Sequence, residues 1–163
     1  MIDIIKFEGQ RFDLCFTEIK NYRSFQIITA SNEAAIRKAA ENKSVDILII
    51  STTEARDKVH SRDSGLNQVI CKLMANNKIA IAFSFADLLN SKERHKLIGR
   101  WMQNIRLCRK FKVRMVLASF AANKWEMRAA KDLFSLALTL GMTGKEAQEA
   151  LDFKKKEKEI KIV

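Results

Sequence analysis

Two histidines and three aspartates are the residues of this 163-residue sequence whose types best suit hydrolytic chemistry. Metal-assisted hydrolysis needs His, Asp and Glu gathered at ligand spacing. His60 and His95 stand alone, each without a second histidine near it. Asp13, Asp46 and Asp87 lie in or beside apolar runs, and their spacing does not show that they converge. Capping or ion pairing is the simpler role for each. The five glycines, at 9, 65, 99, 141 and 144, are too scattered for a phosphate-cradling loop, a dinucleotide fingerprint or a nucleophile elbow. Cys15, Cys71 and Cys108 lack CxxC spacing and read as buried thiols in a reducing cytosol. Residue chemistry alone therefore points away from a self-sufficient enzyme, and a small metal phosphoesterase with a degenerate site is the weaker alternative.

Charge is the stronger signal. The net charge is +11, yet residues 1–91 are nearly balanced and residues 115–153 carry one more acid than base. Between Lys92 and Arg114 nine basic residues stand against Glu93 alone, and five lysines crowd the last ten positions. A phosphate polyanion is the natural partner of such a concentration, because neutralising phosphates releases condensed counterions. A solvated surface that keeps the protein soluble is the plainer reading, and a general basic RNA- or DNA-binding module remains open.

The elements that must position these residues alternate in type. FQIITA (25–30), VDILII (45–50), IAIAF (79–83) and VRMVLA (113–118) read as strands, and helical periods separate them. Asn32 is a helix cap, Ser64 is read as the cap of a helix through Leu66, Val69, Ile70, Leu73 and Met74, and Ser84 with Asp87 forms a capping box. Repeated strand–helix–strand order argues for right-handed crossovers and a parallel sheet. IDIIKF and RFDLCF read as two more strands, joined as a hairpin through Glu8, Gly9 and Gln10. From Lys92 to Lys110 one helix sets Leu97, Ile98, Trp101, Ile105 and Cys108 on one side. Lys92, Lys96, Arg100, Arg106, Arg109 and Lys110 are placed opposite, while Arg94 on the apolar side must snorkel or pair. Residues 1–153 form one domain in this reading, with 154–163 a basic tail that frays or adds a late strand over 159–163. No run reaches the ~20 apolar residues of a membrane span, and no signal peptide opens the chain, so the cytoplasm is the expected location and no membrane partner is expected.

After the strand ending at Ala118 comes a turn carrying Ser119, Asn123, Lys124, Trp125, Glu126 and Arg128. In parallel α/β folds the loops at strand C-terminal ends form the binding face. Trp125 has two readings, a staple against the next helix or a surface for stacking a base. Glu126 with Asn123 looks like a cap. Arg128, taken as lying in the first turn of a helix running to Leu140, is out of place beside a helix N-terminus and calls for an anion. Gly141 suits a left-handed helix end, and Thr143 with Glu146 a capping box for a last helix.

The order Ser119, Trp125-Glu126-Met127-Arg128, Asp132-Leu133, Leu140-Gly141-Met142, Glu146-Ala147 and Ala150-Leu151 resembles the archaeal and eukaryotic family of ribonuclease P protein component 3, or Rpp30. Upstream, VDILIIS (45–51), Arg62, the strand 79–83, Asp87-Leu88-Leu89 and the stretch from Asn104 to Lys110 are similar to family positions, so the likeness covers about residues 24–152. The resemblance implies an α/β, TIM-barrel-like parallel sheet with outer helices. It implies an accessory subunit of an endoribonuclease that removes 5′ leaders from precursor tRNA. The catalyst would be ribonuclease P RNA with its own Mg2+, the protein would bind no cofactor or metal and carry no catalytic residue, and a Pop5-like subunit would be a partner. The family's usual prolines are absent, with Lys124 and Ala130 where they often stand. Six candidate strands, where a closed barrel has eight, predict an incomplete or shortened barrel lacking much of the family's N-terminal region. On this reading Arg62, Lys124 and Arg128 are RNA-binding candidates on the loop face, and Arg100, Arg106, Arg109 and Lys110 on the basic helix.

Overall fold

The computed structural model describes residues 1–8, 14–51 and 63–154. Arg62 and the segment 159–163 lie outside the described residues. Among the described residues six strands and six α-helices follow in this order: β1 (Ile2–Ile5), β2 (Glu18–Asn21), β3 (Ile27–Ala30), α1 (Glu33–Glu41), β4 (Ile47–Ile50), α2 (Gln68–Asn76), β5 (Ala80–Ser84), α3 (Phe85–Asn90), α4 (Arg94–Phe111), β6 (Met115–Ala118), α5 (Ala130–Thr139) and α6 (Gly144–Leu151). β3, β4, β5 and β6 form one sheet in sequence order, parallel throughout, with Ile27 beside Ile47 and Ile81 beside Met115. The fold class expected from the alternation is the one observed, and no closed barrel is present among the described residues.

The sheet's two faces explain its composition. Leu48, Ile50, Ile81, Phe83 and Leu117 face the helical layer. Ile47, Ile49, Ala80, Ala82, Val116 and Ala118 face the other way and are covered by Ile4, Phe25, Phe120 and Phe153. Because both faces are covered, the strands read as continuous apolar runs rather than alternating ones. Alanines on the second face leave room for the phenylalanines. Phe25 and Phe153 meet at 5.8 Å between ring centroids, and Tyr22 meets Phe120 edge-on at 6.3 Å.

At the N-terminus the expected hairpin through residues 8–10 to a strand over 11–16 falls partly outside the described residues (9–13), and 14–16 are not strand. β1 pairs instead with the later segment 18–21. β1 and β2 pair in parallel, Ile2 beside Glu18 and Ile5 beside Asn21. β1 has a second neighbour besides β2. It docks beside the C-terminal end of β6, where Phe120 N–H donates to the Ile4 carbonyl and Lys6 N–H to the Ala121 carbonyl, both at 2.8 Å. The Asp3 carboxylate clamps the junction, accepting from Ser119 N–H at 2.7 Å, Ser119 Oγ–H at 2.7 Å and Ile4 N–H at 2.9 Å. Asp3 and Ser119 are completely buried. Burial pushes the Asp3 carboxyl up, against the pull of those donors.

Helix ends follow local chemistry. Asn32 caps α1 by accepting from Ala35 N–H at 2.8 Å, and Ser84 accepts from Asp87 N–H at 3.2 Å. Thr143 and Glu146 complete the capping box of α6. Gly141, at φ +94°, ends α5 in a Schellman arrangement, with Met142 N–H reaching the Ala137 carbonyl at 3.0 Å. The cap of α2 is Asn67 rather than Ser64. Ser64 is buried beside Gly65, whose φ of +76° suits glycine and where a Cβ would come within 2.8 Å of the Ile50 side chain. Val69, expected in the core, is exposed, as is Cys15, whereas Cys71 and Cys108 are buried.

Candidate nucleic-acid interface

The turn after β6 is built to hold still. Asn123 Oδ1 accepts from Trp125 N–H at 3.0 Å, and the Glu126 carboxylate accepts from Ala122 N–H at 2.8 Å and Asn123 Nδ2–H at 3.1 Å. Glu126 is thus the cap its spacing suggested. Met127 drops into an apolar site with Ile5 and Ala121. With that anchor taken by Met127, the Trp125 ring is left 71% exposed, which removes the staple reading. The Lys124 ammonium lies 5.0 Å from the Trp125 ring centroid.

Arg128 does not sit in a helix. The long helix expected after Trp125 is a short 3-10 turn (Lys124–Glu126), an extended link, and then α5. Arg128 lies in that link, so the conflict with a helix N-terminus disappears. Its guanidinium donates to the carbonyls of Trp125 at 3.0 Å and Met127 at 2.7 Å and lies 4.9 Å from the Phe85 ring. Part of its charge therefore serves to brace the turn against α3.

Beside this turn, the C-terminal ends of the strands hold a cleft of about 220 Å³ lined by Lys6, Ser51, Ser84, Asp87 and Asn90 over Trp101. Burial pushes the Asp87 carboxyl up, while Lys6 and the Ser84 hydroxyl oppose the shift. A neighbouring hollow of about 260 Å³ is lined by Asn90, Lys92, Glu93, Lys96 and Arg100. Among the described residues no three His, Cys, Asp or Glu side chains group together as a metal site would require. What the surface offers is ammonium and guanidinium groups, hydroxyls and an exposed indole, a set for gripping phosphates and bases.

The basic helix α4 divides differently from its expected pattern. Arg100 is 4% exposed, not on the solvated half. It stands three residues after Leu97 and four before Asn104, which places it on the buried stripe with Trp101, Ile105 and Cys108. Arg106 and Lys110 are exposed. Arg109 is half-exposed but engaged: its Nε and Nη2 donate to the two Glu146 oxygens, both at 2.7 Å, and Nη2 also donates to the Gly141 carbonyl at 2.7 Å. Arg94 resolves its position by donating to the Leu89 carbonyl at 2.7 Å, and Lys96 pairs with Glu93.

The candidates therefore do not form one patch. α4 is about 27 Å long, and its C-terminal end feeds the start of β6 through Lys112 in a left-handed conformation. Arg106, Arg109 and Lys110 lie toward that end, while Lys124 and Arg128 lie beyond the other end of β6. Two cations were missed. Lys6, just after β1, lines the cleft, and nothing in its local sequence marks that position. Arg114, at the start of β6, lies 4.5 Å over the Phe153 ring and donates to the Lys154 carbonyl at 2.8 Å.

A parallel α/β sheet related to an open barrel, with cationic side chains at both ends of its strands, defines the class of protein. The sequence model described as RNase P subunit p30 matches residues 9–157. The chain belongs to that family. It is similar to ribonuclease P protein component 3 of Methanosarcina acetivorans, at 31% identity over 152 residues, 92% of this chain and 61% of that protein. It is also similar to the protein of the same name in Methanocaldococcus jannaschii, at 36% over 106 residues, 64% of this chain and 43% of that one. The chain thus spans roughly half the length of these relatives. Among solved structures, a chain in the cryo-EM structure of archaeal ribonuclease P with mature tRNA matches with a TM-score of 0.70 at 22% identity, covering 93% of this chain and 87% of the other. That likeness is one of fold.

Proposed function

We propose that this chain is an accessory protein subunit of ribonuclease P, which binds the catalytic RNA and supports removal of 5′ leaders from precursor tRNA. The observation that carries the reading is the family match over residues 9–157, a stretch that includes both cationic clusters. Lysines and arginines at the two ends of the sheet would neutralise phosphates of separate RNA segments and hold them at a fixed distance. Such contacts grip backbone, so recognition rests on RNA shape. Lys124 and Arg128 act at one end, with Arg106, Lys110 and the half-exposed Arg109 at the other. Mg2+ belongs to the RNA in this scheme, and bond cleavage is the RNA's task. A Pop5-like protein is the expected protein partner, and the cytoplasm the place of action.

Affinity purification of the chain from its own cells, followed by RNA sequencing, tests the assignment. Ribonuclease P RNA should dominate the recovered RNA, and a Pop5-like protein should accompany it. The separation of the cations into two clusters also suits a second reading, a general RNA-binding module. Recovery of a heterogeneous RNA population without ribonuclease P RNA would favour that reading and overturn the first.

A further inference from the structure

We infer that Trp125 is a stacking surface for an unpaired RNA base, with Lys124 beside it on the phosphate chain; this rests on the RNA-binding reading above. The chain contains two tryptophans, and their environments are opposite. Trp101 is 4% exposed and packs edge-on against Phe83 at 5.5 Å, whereas Trp125 is 71% exposed. An indole left in water forgoes burial that a neighbouring apolar side chain, Met127, obtains two residues later. The exposure is not a product of a loose loop. The turn's backbone is fixed by the Asn123 and Glu126 contacts and by the Arg128 bonds to the Trp125 and Met127 carbonyls. A ring carried on a fixed backbone loses less entropy when a ligand covers it than one on a mobile loop.

Charge selects the ligand. The Lys124 ammonium sits 5.0 Å from the ring centroid, and the Arg128 guanidinium is braced over Phe85 close by. The one acid of the turn, Glu126, is committed to Ala122 N–H and Asn123 Nδ2–H. An aromatic plate edged by cations fits a base carried on a phosphodiester chain. In an A-form duplex the base faces are stacked on one another, so the base offered to Trp125 is an unpaired one, in a loop, bulge or strand end.

The two-tryptophan composition makes the test direct. The full chain is titrated with a 12-nucleotide single-stranded RNA, and separately with the same strand annealed to its complement, while tryptophan emission is recorded. The single strand should quench emission and the duplex should not, because Trp101 is buried and silent to both. By anisotropy of labelled RNA, Trp125→Ala should weaken single-strand binding about 5- to 100-fold and leave duplex binding within about twofold, while Trp125→Phe should stay within about fivefold of the parent. Equal quenching by both forms, or an unchanged single-strand affinity in Trp125→Ala, overturns the stacking role while leaving the RNA-binding reading intact. Unchanged RNA affinity together with loss of a protein subunit from the assembly would make the turn a protein contact, and likewise overturns it. Failure of the parent chain to bind either RNA form overturns both.

Discussion

Arg100 and Arg106 are the pair of side chains that separates buried cations from exposed ones. They lie six residues apart on α4, yet the first is buried on the core stripe and the second is exposed. Arg100→Ala should cost about 1–3 kcal/mol of stability, because a packed stem and a desolvated charge are removed together. Any loss of RNA affinity should then track the loss of folded protein. Arg106→Ala should leave the unfolding midpoint almost unchanged and lower the salt dependence of RNA binding by about one phosphate contact. Chemical denaturation and binding at several salt concentrations read the two effects separately. Arg109 is intermediate, since its fork closes on Glu146. That hydrogen bond, with the Thr143 contacts, holds the Glu146 carboxyl down to about 2, from an ordinary value of 4.5. A depressed carboxyl contributes stability above its unfolded value and loses it as pH falls through the folded one. Stability supplied by Glu146 should therefore be complete above about pH 5 and vanish toward pH 2, whereas Glu146→Gln should be less stable near neutrality and flatter across that window. Melting curves from pH 2 to 6 for the two proteins give the comparison.

Elements were legible where local chemistry decides them. Asn32, Ser84 and the Thr143–Glu146 box cap the helices expected of them, and the apolar runs near residues 47–50, 80–84 and 115–118 are three of the sheet's four strands. What the sequence hid depended on contacts made far along the chain. β1 is tied by its backbone to residues 120 and 121, over a hundred positions away, a contact no local pattern announces. Arg100 was misplaced because a charged side chain was taken as a solvent marker, although its spacing from Leu97 and Asn104 already put it on the buried face. Trp125 was ambiguous because Met127, two residues on, is an equally apolar candidate for the anchor, and it is Met127 that is buried. The β1 docking has its own test. Asp3→Ala should cost about 2–4 kcal/mol by leaving the Ser119 and Ile4 donors unmet, whereas Asp3→Asn, which keeps one acceptor and adds a donor for Ser119 Oγ, should cost under about 1 kcal/mol. Equal losses in the two variants, measured by urea unfolding, would show that the carboxylate is not the clamp.

At the scale of the whole molecule, the described cations fall into separated groups rather than one continuous patch. Most of the net +11 lies between Lys92 and Arg114, but burial of Arg100 and the Arg109–Glu146 fork reduce the charge available on α4, and the turn after β6 carries Lys124 and Arg128 beyond the far end of the sheet. A rigid body with two separated cationic ends can set the spacing of two RNA segments, which is a task suited to a subunit of an RNA-based enzyme. The central claim is that the chain assists a catalytic RNA. It is tested most directly by measuring precursor-tRNA cleavage by ribonuclease P RNA at low magnesium, reconstituted with its other subunits, in the presence and absence of this chain. Faster cleavage with the chain, lost when Arg106, Lys110 and Lys124 are replaced together by alanine, is the predicted result. Identical rates with and without it would contradict the account.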